Sequence, residues 1–255
     1  MNVNSELATI FVFFSILITI WFGYKLRLKI IQGEDKMNVG PLEGSLLGLL
    51  ALLLSFSFNA SYSRFNDRRN ALINEANALR ATAGRLYLLP DSLSNQFRSD
   101  MYHLVANRIA YYHKGEDEAG ILKEMDSSQY YLIKIWSRIK EMSKNEKLNI
   151  KTSLIVTSLT AAYDSMEIRE DMRSAKIPDF IKIALFALIL VSSLVIGFNI
   201  DDFRSKRFIV FAFATMIALT CYLILDLEHS RNGLINLDST EQKMEEVLQL
   251  FSRVS

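Results

Sequence analysis

The chain has 255 residues, of which half are hydrophobic, 29 are lysine or arginine and 28 are aspartate or glutamate. This near-neutral balance argues against a nucleic-acid-binding protein, which would carry a net basic charge, and a single cysteine excludes a disulfide within the chain. The hydrophobic and charged residues fall into separate blocks. That division indicates a membrane protein with water-exposed parts.

Four segments are long and apolar enough to cross a bilayer, since a helical span needs about 20 residues. They are Leu7 to Tyr24, Leu42 to Phe58, Ile181 to Ile200 and Phe208 to Leu225. The first has no basic residue before it and no small-residue cleavage site after it, so we expect an uncleaved anchor and not a signal peptide. The second is the shortest, so hydropathy alone also allows a buried core helix there.

The region between spans two and three shows helical patterns and no strand pattern. Turn-forming residues divide it at "LLPDSLS", "HKGEDEAG" and "SKNEK". The resulting helices are the continuation of span two to about Leu89, Ser92 to Lys114, Ala119 to Ser143, and Lys147 to Ala175.

The predicted fold is all-α: a polytopic membrane protein with four transmembrane helices and a water-exposed helical bundle inserted between spans two and three. Residues 1–59 are expected to hold transmembrane helices one and two, residues 60–178 the bundle, and residues 179–228 transmembrane helices three and four. Residues 229–255 form a C-terminal tail with a short amphipathic helix, which we expect to dock on the bundle or on a neighbouring subunit.

No proline interrupts the helix that begins at Leu42, so we predict one helix about 70 Å long, half in lipid and half in water. In the water-exposed half, seven-residue spacing indicates a coiled-coil seam. Its members are Phe65, Leu72, Leu79 and Leu86, with Tyr62, Ala76 and Ala83 between them. The last helix of the bundle shows a matching seam at Leu154, Ala161, Ile168 and Ala175, with Ser158, Ser165 and Met172 between them. The two helices would act either as rigid rods that carry movements of the bundle into the membrane or as a static stalk.

Small and weakly polar residues share one face of the membrane part of this helix: Gly44, Gly48, Ala51, Ser55 and Asn59. One hypothesis is close helix packing, because Gly44 and Gly48 form a GxxxG pair. The other is that this face lines a water-filled path, where Ser55 and Asn59 replace part of an ion's hydration shell. Four helices alone leave no room for a channel, so the second hypothesis requires a symmetric oligomer.

Charged residues are concentrated at the membrane border on the bundle side. They are Arg64, Asp67, Arg68, Arg69, Asp226, Glu228 and Arg231. Because an unpaired charge near hydrocarbon is costly, we expect Asp226 to pair with Arg64 or Arg68. Alternatively, the arginines form a ring that concentrates anions at a pore mouth.

Several stretches resemble the bestrophin-like domain family of bacterial membrane proteins: "GLLALLLSFSFNASYSRFNDRR", "NEANALR", "YLLP", "GYKL", "MRSAKIP" and "LILDLEHSRNGLI". The resemblance covers nearly the whole chain. "FNASYSRFNDRR" is also similar to the membrane-leaving helix of bestrophins, which are pentameric anion channels with that helix lining the pore. The resemblance therefore implies a homo-oligomer, a pentamer, in the bacterial inner membrane that conducts an anion such as chloride along helix two.

Enzymatic motifs such as HExxH, GxSxG, a phosphate loop or CxxC do not occur, and the acidic stretch "GEDEAG" lacks the alternating ligands of a calcium loop. We expect that the protein is not an enzyme and that it binds no metal, cofactor or nucleic acid. Its expected partner is the lipid bilayer. The alternative to a channel is a non-conducting membrane-anchored scaffold or sensor whose helical bundle binds a partner.

Two arguments on membrane orientation oppose each other. The short loops "KLRLKIIQGEDK" and "DDFRSKR" are rich in basic residues, so the positive-inside rule favours these loops in the cytoplasm and the bundle outside. Resemblance to bestrophins implies the reverse, and Arg64, Arg68 and Arg69 add basic residues on the bundle side. We expect a cytoplasmic bundle.

Overall fold

The computed structural model describes residues 3–30, 40–114, 117–174, 177–228 and 237–252. Within these ranges the regular elements are α-helices and one 3-10 turn, with no strand, which confirms the all-α fold. The helices are α1 (Val3–Ile30), α2 (Gly40–Leu86), α3 (Asp91–His113), α4 (Glu118–Met142), α5 (Asn149–Ser174), α6 (Asp179–Phe198), α7 (Phe203–Glu228) and α8 (Asp238–Ser252), and the 3-10 turn is Glu146–Leu148.

Helix boundaries follow from prolines and a side-chain cap. Pro90 and Pro178 stand immediately before α3 and α6, where a residue without a backbone N–H group interrupts no helical hydrogen bond. Asp117 begins α4 by accepting a hydrogen bond from the backbone nitrogen of Gly120 at 3.1 Å. No such break occurs within α2, and the prediction of one long, unbroken helix is confirmed.

The chain divides into two compact units. The first comprises Met1–Phe65 and Lys176–Ile235, and the second comprises Asn66–Ala175 and Asn236–Ser255. Four helices, α1, α2, α6 and α7, are long and apolar enough to cross a bilayer, which confirms the four predicted spans.

The first unit contains α1, the beginning of α2, α6 and α7, with α1 packed against both α6 and α7. Its core consists of apolar side chains from all four helices, among them Ile16, Ile20, Leu50, Leu54, Leu185, Ile189, Val210 and Ala214. Large apolar side chains such as Phe11, Phe180 and Phe208 remain exposed on the surface of this unit. A bilayer accommodates such a surface, whereas water does not.

Two glycines set the distance between α1 and α6. A Cβ atom built on Gly197 would collide with the backbone carbonyl of Ile20, and one built on Gly23 would collide with the carbonyl oxygen of Leu194. Neither position has room for a side chain because the two backbones are in direct contact. This is the packing that small residues permit between membrane helices.

Polar contacts join three parts of the chain at one end of the first unit. Arg27, near the end of α1, pairs with Asp201 in the turn between α6 and α7, and its Nη1 donates to the carbonyl oxygen of Phe198 at 3.3 Å. Asn199 in the same turn donates to the carboxylate of Glu43 near the start of α2. The end of α1, the start of α2 and the α6–α7 turn therefore share one side.

The second unit contains the rest of α2 together with α3, α4, α5 and α8. Most of the seam predicted on α2 is confirmed. Phe65, Leu72, Leu79, Leu86, Ala76 and Ala83 are all buried. Tyr62 is the exception, because it is 49% exposed and its ring stacks on Phe58 one turn earlier.

The seven-residue repeat predicted on α5 is wrong, although Ser158 between its members is buried and Ser165 and Met172 are half-buried. Leu154 and Ile168 are 42% and 50% exposed, Ala161 is also exposed, and Ala175 lies outside the described residues. The buried side of α5 is turned by about 100° from the predicted one, which is one helical residue. It carries Thr152, Ile155, Ser158, Leu159, Ala162, Met166 and Arg169. Because three of these residues are polar, hydrophobic spacing alone does not identify the buried side of α5.

The contact between α1 and α6 makes the first testable prediction. We expect Gly197→Ala to lower the thermal unfolding temperature of the purified protein in detergent, because overpacking against a backbone costs about 1–3 kcal/mol. Gly48→Ala is the matched control, since no atom beyond the helix's own backbone lies within 4 Å of a Cβ atom at Gly48, and it should leave the unfolding temperature unchanged or slightly raised. Equal temperatures for the two variants would contradict the close crossing.

Candidate pore face and buried charge cluster

The small stripe of α2, defined as Gly44, Gly48, Ala51, Ser55 and Asn59, is exposed along its whole length. No atom outside the helix lies within 4 Å of a Cβ atom built on either glycine. Among the described residues, then, no helix of the same chain packs against this stripe. Of the two hypotheses from the sequence, helix packing within one subunit is excluded for the described residues, and what remains is contact with another subunit, with lipid or with an ion path.

A second exposed stripe lies beside the first. Leu49, Leu52 and Phe56 are 53%, 51% and 62% exposed, and the geometry of an α-helix turns them by about 100° from the small stripe. The opposite side of the helix packs into the first unit through Leu50 and Leu54. The first part of α2 thus presents one packed side, one large apolar stripe and one small, weakly polar stripe.

The residues of the predicted membrane-edge cluster fall into two groups. Arg64 and Arg68 are half-buried, and Asp67 and Arg69 are exposed. At the end of α7, Asp226 is 1% exposed and Glu228 is 8% exposed. Arg231 lies outside the described residues. The pairing of Asp226 with Arg64 or Arg68 stays a prediction.

Glu228 joins the end of α7 to the start of α6. Its Oε1 accepts a hydrogen bond from the backbone nitrogen of Ile177 at 2.8 Å, and its Oε2 lies 3.1 Å from Nζ of Lys182. This carboxylate therefore has a cation and a backbone donor within the first unit. Both satisfy a charge that would otherwise be costly at the edge of the hydrocarbon.

A group of buried charges lies in the core of the second unit. The carboxylate of Glu75 on α2 accepts hydrogen bonds from Nε and Nη2 of Arg108 on α3, at 2.7 and 3.2 Å, and from Nη1 of Arg169 on α5 at 2.8 Å. Nη2 of Arg169 lies 3.6 Å from Oε2 of Glu241 on α8. We call Glu75, Arg108, Arg169 and Glu241 the buried charge cluster, and none of them is more than 7% exposed.

The ring of Tyr111 lies against both guanidinium groups of the cluster. The central carbon atoms of Arg108 and Arg169 are 5.1 and 5.7 Å from the centre of this ring, within the range of a cation–π interaction. The hydroxyl group of Tyr111 donates to Glu170. Four helices are thereby joined through a few side chains.

The cluster holds Glu75 in its ionised form. Burial alone would raise the pKa of this carboxyl group, but the charges of Arg108 and Arg169 and their hydrogen bonds outweigh burial and lower the pKa to about 2. Glu75 lies in the water-exposed part of α2, beyond the span predicted at Leu42 to Phe58. A depressed carboxyl pKa contributes stability above the ordinary pKa near 4.5, and this contribution is lost as the pH falls towards 2.

The spacing of Glu75 offered a clue to its burial. It lies three residues after Leu72 and four before Leu79, on the same side of α2 as the seam. An acid at that position of an apolar stripe predicts a buried cationic partner. The identity of the partners is not contained in the local sequence, since Arg108 and Arg169 are distant along the chain.

The C-terminal helix α8 is amphipathic, as predicted, and it docks on the bundle of its own unit. Met244, Val247 and Phe251 are buried. Nη1 of Arg98 on α3 donates to the carbonyl oxygen of Leu250 at 2.9 Å. Together with Glu241 of the buried charge cluster, these contacts make α8 part of the core.

In the ranges that the structure describes, no group of three or more histidine, cysteine, aspartate or glutamate residues is placed to hold a metal ion. The geometry instead defines a polytopic helical membrane protein with a bundle built around ion pairs. The model of the bestrophin-like domain matches residues 10–240. The chain belongs to the bestrophin-like family.

Solved structures show the same fold. Two point variants of a bacterial bestrophin homologue from Klebsiella pneumoniae match with TM-scores of 0.77 and 0.75. The first is 14% identical in sequence, and the match covers 99% of this chain and 100% of that one. The second is 16% identical, with 96% and 100% covered. None of the curated proteins matches this chain.

The buried charge cluster makes the second testable prediction. Glu75→Gln removes the carboxylate that faces both Arg108 and Arg169 and leaves Arg169 only the more distant Glu241, and breaking a buried pair in this way costs about 3–5 kcal/mol. We expect a large fall in the thermal unfolding temperature in detergent, together with a smaller destabilisation than the parent shows as the pH falls from about 4.5 to 2.

Glu246→Gln is the matched control for this variant. It makes the same chemical change in an exposed ion pair, where Glu246 Oε2 lies 2.9 Å from Nη2 of Arg80, and such pairs contribute about 0–1 kcal/mol. If both variants lowered the unfolding temperature equally, the cluster would not hold the bundle together.

Proposed function

We propose that the protein is an oligomeric anion channel of the bacterial inner membrane, in which the small stripe of α2 lies nearest the symmetry axis. The carrying observation is that this stripe is exposed although it belongs to a helix that packs its opposite side into the first unit. Family membership supports the assignment, because bestrophins are anion channels lined by the corresponding helix. A pentamer and chloride are the proposed stoichiometry and ion.

The chemistry of the stripe suits an anion. Ser55 and Asn59 offer an O–H and an N–H group, which donate hydrogen bonds to an anion that has lost part of its hydration shell. Gly44, Gly48 and Ala51 add little bulk, so neighbouring copies of the helix leave space between them. In a symmetric ring each donor is repeated once per subunit, which multiplies a weak contact into a binding site.

The border charges favour anions at one end of this path. Arg64 and Arg69 follow the stripe along α2, and Arg69 is exposed. A ring of arginines raises the local concentration of anions before they enter the membrane. The scaffold or sensor hypothesis assigns the same arginines to membrane anchoring only, and the two hypotheses differ in whether ions cross.

Flux through the reconstituted protein makes the third testable prediction. We expect chloride flux into liposomes from the parent, and a fall of at least about tenfold for Ser55→Leu or Asn59→Leu, which corresponds to about 1.4 kcal/mol of added barrier. The oligomer mass and the unfolding temperature should not change, because both residues are exposed within the subunit.

Leu52→Phe is the control on the neighbouring apolar stripe, and we expect parental flux from it. Reduced flux for Leu52→Phe alone would assign the pore to the large apolar stripe. A protein that is oligomeric and folded but conducts no anion would favour the scaffold hypothesis.

The proposed orientation, with the bundle in the cytoplasm, makes the fourth testable prediction. A green fluorescent protein fused after Ser255 should fluoresce, and alkaline phosphatase at the same point should be inactive, because each folds on one side of the membrane only. Fusions to a chain ending at Asp202, in the turn between α6 and α7, should give the opposite pattern. An active phosphatase after Ser255 would place the bundle outside.

A further inference from the structure

Glu43 is an acidic residue at the start of the small stripe of α2. It immediately precedes Gly44, the first residue of the stripe, and it is half-buried. In a channel lined by the stripe, a carboxylate at this end would repel anions. The direction in which the Glu43 side chain points therefore affects the ion path.

The Glu43 side chain belongs to the packed side of α2 and not to the stripe. Glu43, Leu47, Leu50 and Leu54 follow one another at spacings of four, three and four residues, which places them on one side of an α-helix. Leu47, Leu50 and Leu54 all pack into the core of the first unit. The helix thus directs Glu43 towards the interior of its own subunit, about 100° away from Gly44.

Asn199 holds the carboxylate in that direction. Its Nδ2 atom donates a hydrogen bond to Oε2 of Glu43. An amide is neutral, so this hydrogen bond directs the carboxylate without cancelling its charge. The charge of Glu43 is therefore kept in place and not removed.

The backbone that carries Asn199 is itself fixed. Asn199 ends α6, and its backbone nitrogen donates to the carbonyl oxygen of Ile196 at 3.1 Å. Arg27 of α1 donates to the carbonyl oxygen of the preceding residue, Phe198, at 3.3 Å and pairs with Asp201 in the same turn. None of these contacts uses the Asn199 side chain, so its amide group is available to bind Glu43.

We propose that Asn199 is a positioning residue for anion permeation, which keeps the Glu43 carboxylate of each subunit away from the small stripe. The inference rests on the proposed function. Without the amide, the Glu43 side chain rotates among its staggered conformations, and one carboxylate per subunit gains access to the end of the path. A ring of acidic side chains favours cations over anions.

Removal of the amide makes the fifth testable prediction. Asn199→Leu keeps a side chain of similar size that cannot donate to Glu43. We expect chloride flux into liposomes to fall at least about threefold relative to the parent, because rings of acidic side chains exclude anions. This deficit should shrink when the salt concentration rises from about 0.1 to 1 M, because the Debye length falls from about 10 to 3 Å.

Glu43→Gln separates the effect of charge from the effect of structure. Alone, it keeps an acceptor for Asn199 and removes the charge, so flux should be at least as high as in the parent. Combined with Asn199→Leu, it should restore the parental flux, because no charge is left at position 43 to repel anions. Equal deficits in the single and the double variant would overturn the proposal and leave Asn199 a structural role only.

Asn199→Asp is a second variant in case Asn199→Leu does not fold. It retains the shape of the side chain but places a carboxylate against Glu43, so the two acids repel each other and flux should again fall. Glu43→Gln in the same chain supplies an amide that donates to the carboxylate at position 199, and flux should recover. Oligomer mass and unfolding temperature are measured for every variant.

Asp201→Asn is the control for a loosened turn. It weakens the ion pair with Arg27 but releases no negative charge, so it should not lower the flux. A deficit as large as that of Asn199→Leu would overturn the proposal, because the turn and not Glu43 would then be responsible. A conducting parent whose flux is unchanged by Asn199→Leu overturns the inference and leaves the channel intact, whereas a parent that conducts no anion overturns both.

Discussion

The structure depends on a single helix, α2, whose first part lies in the membrane and whose second part lies in water. In the membrane part of α2, the backbone is satisfied by its own hydrogen bonds and the side chains need no polar partner. In the water-exposed part, the same helix is stabilised by burying its seam, and it buries Glu75 along with Leu72 and Leu79. Most helical stability in proteins comes from packing of one face, so the water-exposed part of α2 depends on this buried seam.

Where the sequence alone was sufficient, strong local signals were present. Four apolar spans, the breaks at Pro90 and Pro178, and the unbroken α2 follow from hydropathy and backbone chemistry, which act over a few residues. The α2 seam was equally clear because Leu72, Leu79 and Leu86 repeat at a fixed spacing. These features persist whatever the partner helices are, so they can be recognised before any tertiary structure is known.

Other features required the partners to be known. The seven-residue spacing on α5 selected Leu154, Ala161 and Ile168, which are exposed, because the buried side of this helix includes the polar residues Thr152, Ser158 and Arg169. Arg169 belongs to the core only because it pairs with Glu75, and neither residue alone reveals this pairing. The exposure of Gly44 and Gly48 was equally hidden, because a GxxxG pair has the same spacing whether it is packed or open; by contrast, Gly23 and Gly197 form the observed close contact without that motif.

The second unit is discontinuous along the chain, and this has a consequence for biosynthesis. Glu241 and the apolar face of α8 belong to its core, yet they are translated after α6 and α7. The bundle therefore cannot be completed, and Arg169 lacks the carboxylate of Glu241, until α6 and α7 have been synthesised. Completion of the second unit is thereby a late step that follows synthesis of the last span.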